Sequence, residues 1–178
     1  MTPYEVLKFE KIYKGSIFDL SKKTIRLPNE KATTLDVIEH TGAALIIPVS
    51  DNGELVMVKQ YRIGTESVLL EFPAGKFDPG EDPVECALRE LEEETGYRAS
   101  KISLLFEIIP LAAYCTEKIF VYLAEGLKPG QPKPDENEFL EVEVYPLERL
   151  LKMVDNGELL DMKTVMGILY YARIAADS

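Results

Sequence analysis

Apolar positions along the chain change their period several times. Between Tyr4 and Glu39, apolar and polar residues alternate in short stretches, Lys8–Tyr13, Ser16–Leu20, Lys22–Leu27 and Leu35–Glu39. Lys14-Gly15 and Pro28-Asn29 separate them as turns. This predicts a small antiparallel meander over residues 1–40 that must pack on another surface, because so little sheet has little core of its own. From Gly42 a nearly continuous apolar run, Ala43–Val49, predicts a buried strand. The Asp51-Asn52-Gly53 turn then returns the chain along Glu54–Gln60 as a hairpin. Ser67–Phe72, Ile102–Ile109, Lys118–Ala124 and Leu140–Tyr145 read as further strands, with loops at Leu111–Glu117 and Gly126–Glu138. Helical spacing appears over residues 84–95, Leu147–Val154 and Asp161–Ala175. In the last of these, Met162, Val165, Met166, Leu169 and Tyr170 form a stripe expected to face the core. Strands with only a few helices predict an α/β domain over residues 41–178, a mixed sheet covered by helices.

The middle helix carries a conflict. Asp82 is an N-cap candidate, Pro83 suits the first helical position, Glu85 completes a D-x-x-E capping box, and Gly96 offers a left-handed stop. Val84, Ala87, Leu88 and Leu91 make an apolar face, and Cys86, Glu90, Glu93 and Glu94 fall on another. Yet Glu92, Glu93 and Glu94 crowd the last turn, where the helix dipole favours cations. Glu90 repels Glu93 and Glu94 at neighbouring positions, by about 0.2–0.5 kcal/mol per pair. A hard divalent cation would turn this repulsion into coordination, because Mg²⁺ takes carboxylate oxygens. The alternative is a solvated acidic helix end.

Composition narrows the function. The formal net charge is −11 over 178 residues, which argues against nucleic acid or an anionic membrane as partner. An anionic substrate still fits if metal ions mediate the contact. Two cysteines, Cys86 and Cys115, without a C-x-x-C pair, point to free thiols, and the single His40 excludes a multi-histidine metal site. There is no apolar leader and no run of transmembrane length, so the cytoplasm is the expected location. No G-x-G-x-x-G follows a strand, no glycine precedes Gly75-Lys76 at Walker A spacing, and no G-x-S-x-G occurs.

Gly75, Glu81 and the run Arg89-Glu90-Leu91-Glu92-Glu93-Glu94-Thr95-Gly96-Tyr97 stand at fixed spacings. This stretch resembles the Nudix box, G-x5-E-x7-R-E-U-x-E-E-x-G-U, and departs from it only at Tyr97 in the last aliphatic position. Glu71–Gly75 (EFPAG), Lys59–Arg62 (KQYR) and Thr116–Ile119 (TEKI) resemble the ADP-ribose pyrophosphatase branch of that family. Two positions depart from the branch: Ala112-Ala113 stands where Pro-Gly is usual, and Leu35-Asp36 occupies a region where an arginine is common.

The resemblance implies an α/β/α sandwich with a mixed sheet plus a small N-terminal antiparallel sheet, the latter exchanged between subunits of a homodimer. It implies hydrolysis of a nucleoside diphosphate linked to another moiety. ADP-ribose, giving AMP and ribose 5-phosphate, is the leading substrate. GDP-mannose, another nucleotide-sugar or a dinucleotide is the alternative, and a non-catalytic nucleotide-sugar sensor is the alternative of another class. The expected cofactor is Mg²⁺ or Mn²⁺, as two or three ions. Glu90 and Glu94 would be the main ligands, joined by Glu81, Glu138 and the backbone carbonyl of Ala74, with Glu93 nearby. Arg89 would orient a glutamate, and Glu136, in the acidic loop before Glu138, would be the general base. Arg62, Phe18 and Tyr114 are the substrate-binding candidates, with Tyr13 as a further stacking candidate.

Overall fold

A computed structural model of the chain describes residues 4–133 and 138–176. The chain divides into two compact units. One holds the chain up to Gly42 together with Ile109–Ile119, and the other holds Ala43–Ile108 and the chain from Phe120 onward.

The first unit is an antiparallel sheet of β1 (Glu5–Lys14), β2 (Asp19–Arg26) and β3 (Ala32–Glu39), in that order. The sequence pattern splits β2 into two strands at Ser21. The chain runs straight through, because Ser21 is buried and its hydroxyl donates to the Glu39 carboxylate at 2.8 Å. β1 is exposed along its whole length, including Val6, Leu7, Phe9, Ile12 and Tyr13. The stretch at 111–117, which the sequence presents as a loop, is tied to β3. Ile38 N–H donates to the Tyr114 carbonyl at 2.7 Å, and Thr116 N–H to the Ile38 carbonyl at 2.9 Å.

In the second unit, β4 (Ala43–Pro48), β5 (Leu55–Arg62), β6 (Ser67–Glu71) and β7 (Ala74–Lys76) precede α1 (Pro83–Thr95). β8 (Tyr97–Ile108), β9 (Ile119–Pro129), β10 (Leu140–Tyr145), α2 (Leu147–Asp155) and α3 (Met162–Ala176) follow. Strands are ordered β7-β4-β9-β8 in one sheet and β10-β5-β6 in another. β4 is the central layer, and its alternation separates the helices. Ala44 and Ile46 pack with Cys86, Ala87 and Leu91 of α1, while Ile47 lies against Gly167 of α3. This is the helix–sheet–helix arrangement expected from the sequence.

Three details differ from the pattern. Pro73-Ala74-Gly75 looks like a strand break but begins β7, whose Ala74 and Gly75 pair with Leu45 and Ala44. In α1, Leu88 is 39% exposed, and the buried side is Cys86, Ala87, Glu90, Leu91 and Glu94. In α3, the buried residues are Thr164, Gly167 and Ile168, and the large apolar stripe faces outward, with Met162 and Leu169 exposed. Gly167 explains the rotation. A Cβ there would stand 2.9 Å from the Phe72 ring, so the helix approaches the sheet by its small-residue side.

The α1 caps form as the sequence indicates. Asp82 accepts from Val84 N–H at 2.9 Å, and Gly96, at φ 74°, donates its N–H to the Glu92 carbonyl at 2.8 Å. Among the described residues no bond returns from Glu85 to Asp82, so the box is half made. A Cβ on Gly96 would lie 2.7 Å from the Pro132 backbone nitrogen. Gly96→Ala therefore combines a left-handed penalty of about 1–2 kcal/mol with a backbone clash. Its thermal midpoint should fall by roughly 2–4 °C per kcal/mol lost. An unchanged midpoint in thermal unfolding would refute this account of the helix stop.

Candidate active site

The acidic end of α1 faces the backbone of β7. Glu90 and Glu94 are buried, at 9% and 3% exposure. Ala74 N–H donates to the Glu94 carboxylate at 3.1 Å. Glu90 lies so close to Gly75 that a Cβ on that residue would stand 1.9 Å from the Glu90 carboxyl carbon. Gly75 is therefore required by a close approach, since its side-chain space is the seat of a carboxylate.

Arg89 ties the cluster together. It donates from Nε and Nη2 to Glu81, at 2.8 and 2.9 Å, and from Nη1 to Glu90 at 2.7 Å and Glu93 at 2.9 Å. The Arg89 hydrogen bonds hold the Glu81 carboxyl down to about 2. Glu90 behaves oppositely. Burial raises it to about 7 although Arg89 pulls downward, and Glu93 and Glu138 add repulsion. Burial and the Glu90 charge push Glu94 up to about 8, with Glu138 contributing. Cys86, behind the site, is pushed up to about 12, chiefly by burial, which makes it an inert thiol.

A cavity of about 460 Å³ opens here, lined by Ala74, Gly75, Lys76, Asp78, Arg89, Glu90, Glu93 and Glu138. The structure thus gathers Ala74, Glu81, Arg89, Glu90, Glu93, Glu94 and Glu138 at one end of α1. Lys133 N–H donates to the Glu93 carbonyl at 2.9 Å. Glu136 lies outside the described residues. Phe18, Tyr13 and Tyr114 are exposed residues of the first compact unit. Arg62 is clamped by Glu71, with Nε at 2.8 Å and Nη2 at 2.9 Å from its carboxylate.

Sequence reasoning missed several of these neighbours. Glu71 is 1% exposed and holds Lys163 as well as Arg62. Its only sequence signal is its place at the head of EFPAG. Gln60, on the same face of β5 as Arg62, has a buried side-chain oxygen with no hydrogen-bond partner among the described residues. Nothing in a strand pattern marks such an amide.

The donor set suits a hard divalent cation. Glu81, Glu90, Glu93, Glu94 and Glu138 all offer carboxylate oxygens, and Arg89 bonds the first three. No group of three His, Cys, Asp or Glu side chains is placed as a ready cage among the described residues. Arg89 instead holds three of the carboxylates.

The raised carboxyls have a thermodynamic signature. Glu90 and Glu94 bind protons more tightly folded than unfolded, so their contribution is full below about 4.5 and is lost as pH rises through about 7 to 8. In chelator, the thermal midpoint should fall across this window, and Glu94→Gln should flatten the fall and be the more stable protein at pH 8. A wild-type midpoint that rises between pH 5 and 8 would contradict this.

A NUDIX domain profile matches residues 39–162. An ADP-ribose pyrophosphatase of Bacillus subtilis (strain 168) is 41% identical over 163 residues, covering 90% of this chain and 88% of the relative. A methanol dehydrogenase activator of Bacillus methanolicus is 34% identical, covering 93% of this chain and 91% of its own. An ADP-ribose pyrophosphatase of Mycobacterium tuberculosis (strain ATCC 25618 / H37Rv) is 35% identical, covering 93% and 82%. A crystal structure of an ADP compounds hydrolase superposes with a TM-score of 0.86 over 99% of this chain and 96% of that one, at 24% identity, a likeness of fold. With a profile match over more than half its length, and with its buried glutamates set on the box helix, this chain belongs to the NUDIX domain family.

Proposed function

We propose that the chain hydrolyses the diphosphate bond of ADP-ribose, giving AMP and ribose 5-phosphate, with Mg²⁺ or Mn²⁺ at the acidic end of α1. The observation that carries this reading is the buried pair Glu90 and Glu94, two oxygen-donor side chains one helical turn apart that face the Ala74–Gly75 backbone. Its support for ADP-ribose is the 41% identity to a pyrophosphatase of that name over most of the chain.

In this reading Glu90, Glu94, Glu81, Glu138 and the Ala74 carbonyl hold two or three ions. When bound, such ions neutralise diphosphate charge and acidify water. A water oxygen attacks one phosphorus, the bond from that phosphorus to the bridging oxygen breaks, and the second phosphate leaves with that oxygen. Glu136 takes the proton from the attacking water. Arg89 keeps Glu81, Glu90 and Glu93 in register, and Arg62 steadies the substrate's charge. Ala74 N–H holds Glu94 and Arg89 holds Glu90, so carboxylate geometry is fixed before substrate arrives.

The exposed β1, with five large apolar residues, supports a homodimer in which the N-terminal sheet, residues 1–40, finds its missing partner surface. Phe18 and Tyr114, both exposed in the first compact unit, are the candidates for stacking on a nucleobase. A monomeric mass by light scattering would remove this part of the reading.

The test is a panel of ADP-ribose, GDP-mannose and a dinucleotide with Mg²⁺, followed by release of monophosphate. ADP-ribose should be turned over best, and Glu94→Gln should lower kcat by about 10²-fold or more while remaining folded. Absence of turnover of every compound sinks the reading, and preference for GDP-mannose reassigns the substrate. For the base, Glu136→Gln should depress kcat with metal binding nearly intact, whereas Glu138→Gln should weaken metal binding. The reverse pattern exchanges the two roles.

A further inference from the structure

Glu71 is the most enclosed carboxylate near the site, and α3 supplies part of its charge balance. Lys163, in the first turn of α3, donates to Glu71 Oε2 and to Asp161 Oδ1, the latter at 2.9 Å. Arg62 holds the same Glu71 carboxylate through both of its oxygens. Burial opposes the Glu71 charge, yet Arg62 and Lys163 together hold its carboxyl below the usual range. The adjoining residue is fixed too. Phe72 N–H donates to the Thr164 hydroxyl at 3.1 Å in a buried bond, while Asp161 caps Thr164 N–H at 2.9 Å. Two residues further on, Ala74 N–H meets the Glu94 carboxylate.

We propose that Lys163 is a positioning residue of the acidic site. Through Glu71 it sets both the Arg62 guanidinium and the Phe72–Ala74 backbone against Glu94. The two routes converge: Arg62 is the cation whose charge acts on Glu94, and Ala74 is the backbone donor to it. Two cations and two anions, Arg62 and Lys163 against Glu71 and Asp161, leave this layer neutral. Loss of Lys163 leaves an uncompensated anion beside a site already rich in carboxylates. α3 and the site are thus linked through the first turn of that helix. The proposal rests on the hydrolase reading for its kinetic readout, and on the backbone alone for its structural one.

The experiment compares Lys163→Met, Lys163→Arg and Thr164→Val with Ile168→Val, a core change in α3 outside the network. In Lys163→Met, kcat on ADP-ribose should fall about 10- to 100-fold at saturating substrate, with KM within about threefold of wild type. Lys163→Arg should restore most of it, and Ile168→Val should lower only the thermal midpoint. Hydrogen exchange at the Ala74 amide should quicken in Lys163→Met and Thr164→Val and not in Ile168→Val. If Lys163→Met loses stability while kcat per folded molecule stays at the wild-type value, Lys163 is only a brace and the proposal is overturned. If wild-type protein turns over no diphosphate compound, the hydrolase reading fails and the amide exchange alone decides. Quickened exchange then supports the coupling to Ala74, and unchanged exchange ends it.

Discussion

The second compact unit is organised around negative charge placed where an isolated helix would not tolerate it. Glu90 and Glu94 are buried at the C-terminal end of α1, against both the helix dipole and each other. That placement sets conditions on every element nearby. Gly75 must lack a side chain, because the Glu90 carboxylate fills its Cβ position. β7 must present the Ala74 N–H to Glu94, which makes a three-residue strand necessary where Pro73 would otherwise end the chain's pairing. Gly96 must stop the helix at a left-handed residue, because the Gln131-Pro132 backbone lies where its side chain would be.

The sheet and α3 serve the same condition from the other side. β4 divides its residues between α1 and α3, and the first turn of α3 is tied to Phe72 through the Thr164 hydroxyl. Gly167 lets α3 sit close enough for Thr164 to reach the Phe72 amide. The large apolar residues of α3 consequently line a surface groove with Phe106 and Leu160. Helix burial here follows the shape of the contact, not the size of the side chains.

This explains which features were legible in the sequence. The α1 caps, the buried β4 and the spacing of the box glutamates each rest on local rules, and Asp82, Gly96 and the Ala43–Val49 run announce them without knowledge of the rest. The inward face of α3 could not be read, because the periodicity of Met162, Val165 and Leu169 is real but points to a surface. Glu71 and Lys163 were invisible for another reason. Their partnership spans β6 and α3, and neither residue stands out along the chain. Arg62 was legible as a charged residue after a strand, but its anchoring depends on that same long-range carboxylate. The spacing of the box identified the glutamates; only the fold shows that Glu81 is held by Arg89 while Glu94 is left to a backbone amide.

Arg89 is the residue on which this division turns. A lysine could not take its place, because an ammonium is a compact point charge, while a guanidinium is a planar fork with delocalised charge. Arg89 uses both edges, paired bonds to Glu81 on one side and single bonds to Glu90 and Glu93 on the other. It thereby balances the carboxylates that reach the cavity wall while leaving Glu94 outside its grip. Were the same guanidinium to bond Glu94 as well, its N–H groups would occupy carboxylate oxygens that a divalent ion would otherwise take. Were it absent, Glu81, Glu90 and Glu93 would lose their bonded cation in a partly buried site, at a desolvation and repulsion cost. The fold needs enough positive charge beside α1 to close around it and too little to satisfy all of its carboxylates, and Arg89, bonded to Glu81, Glu90 and Glu93 and not to Glu94, meets both requirements.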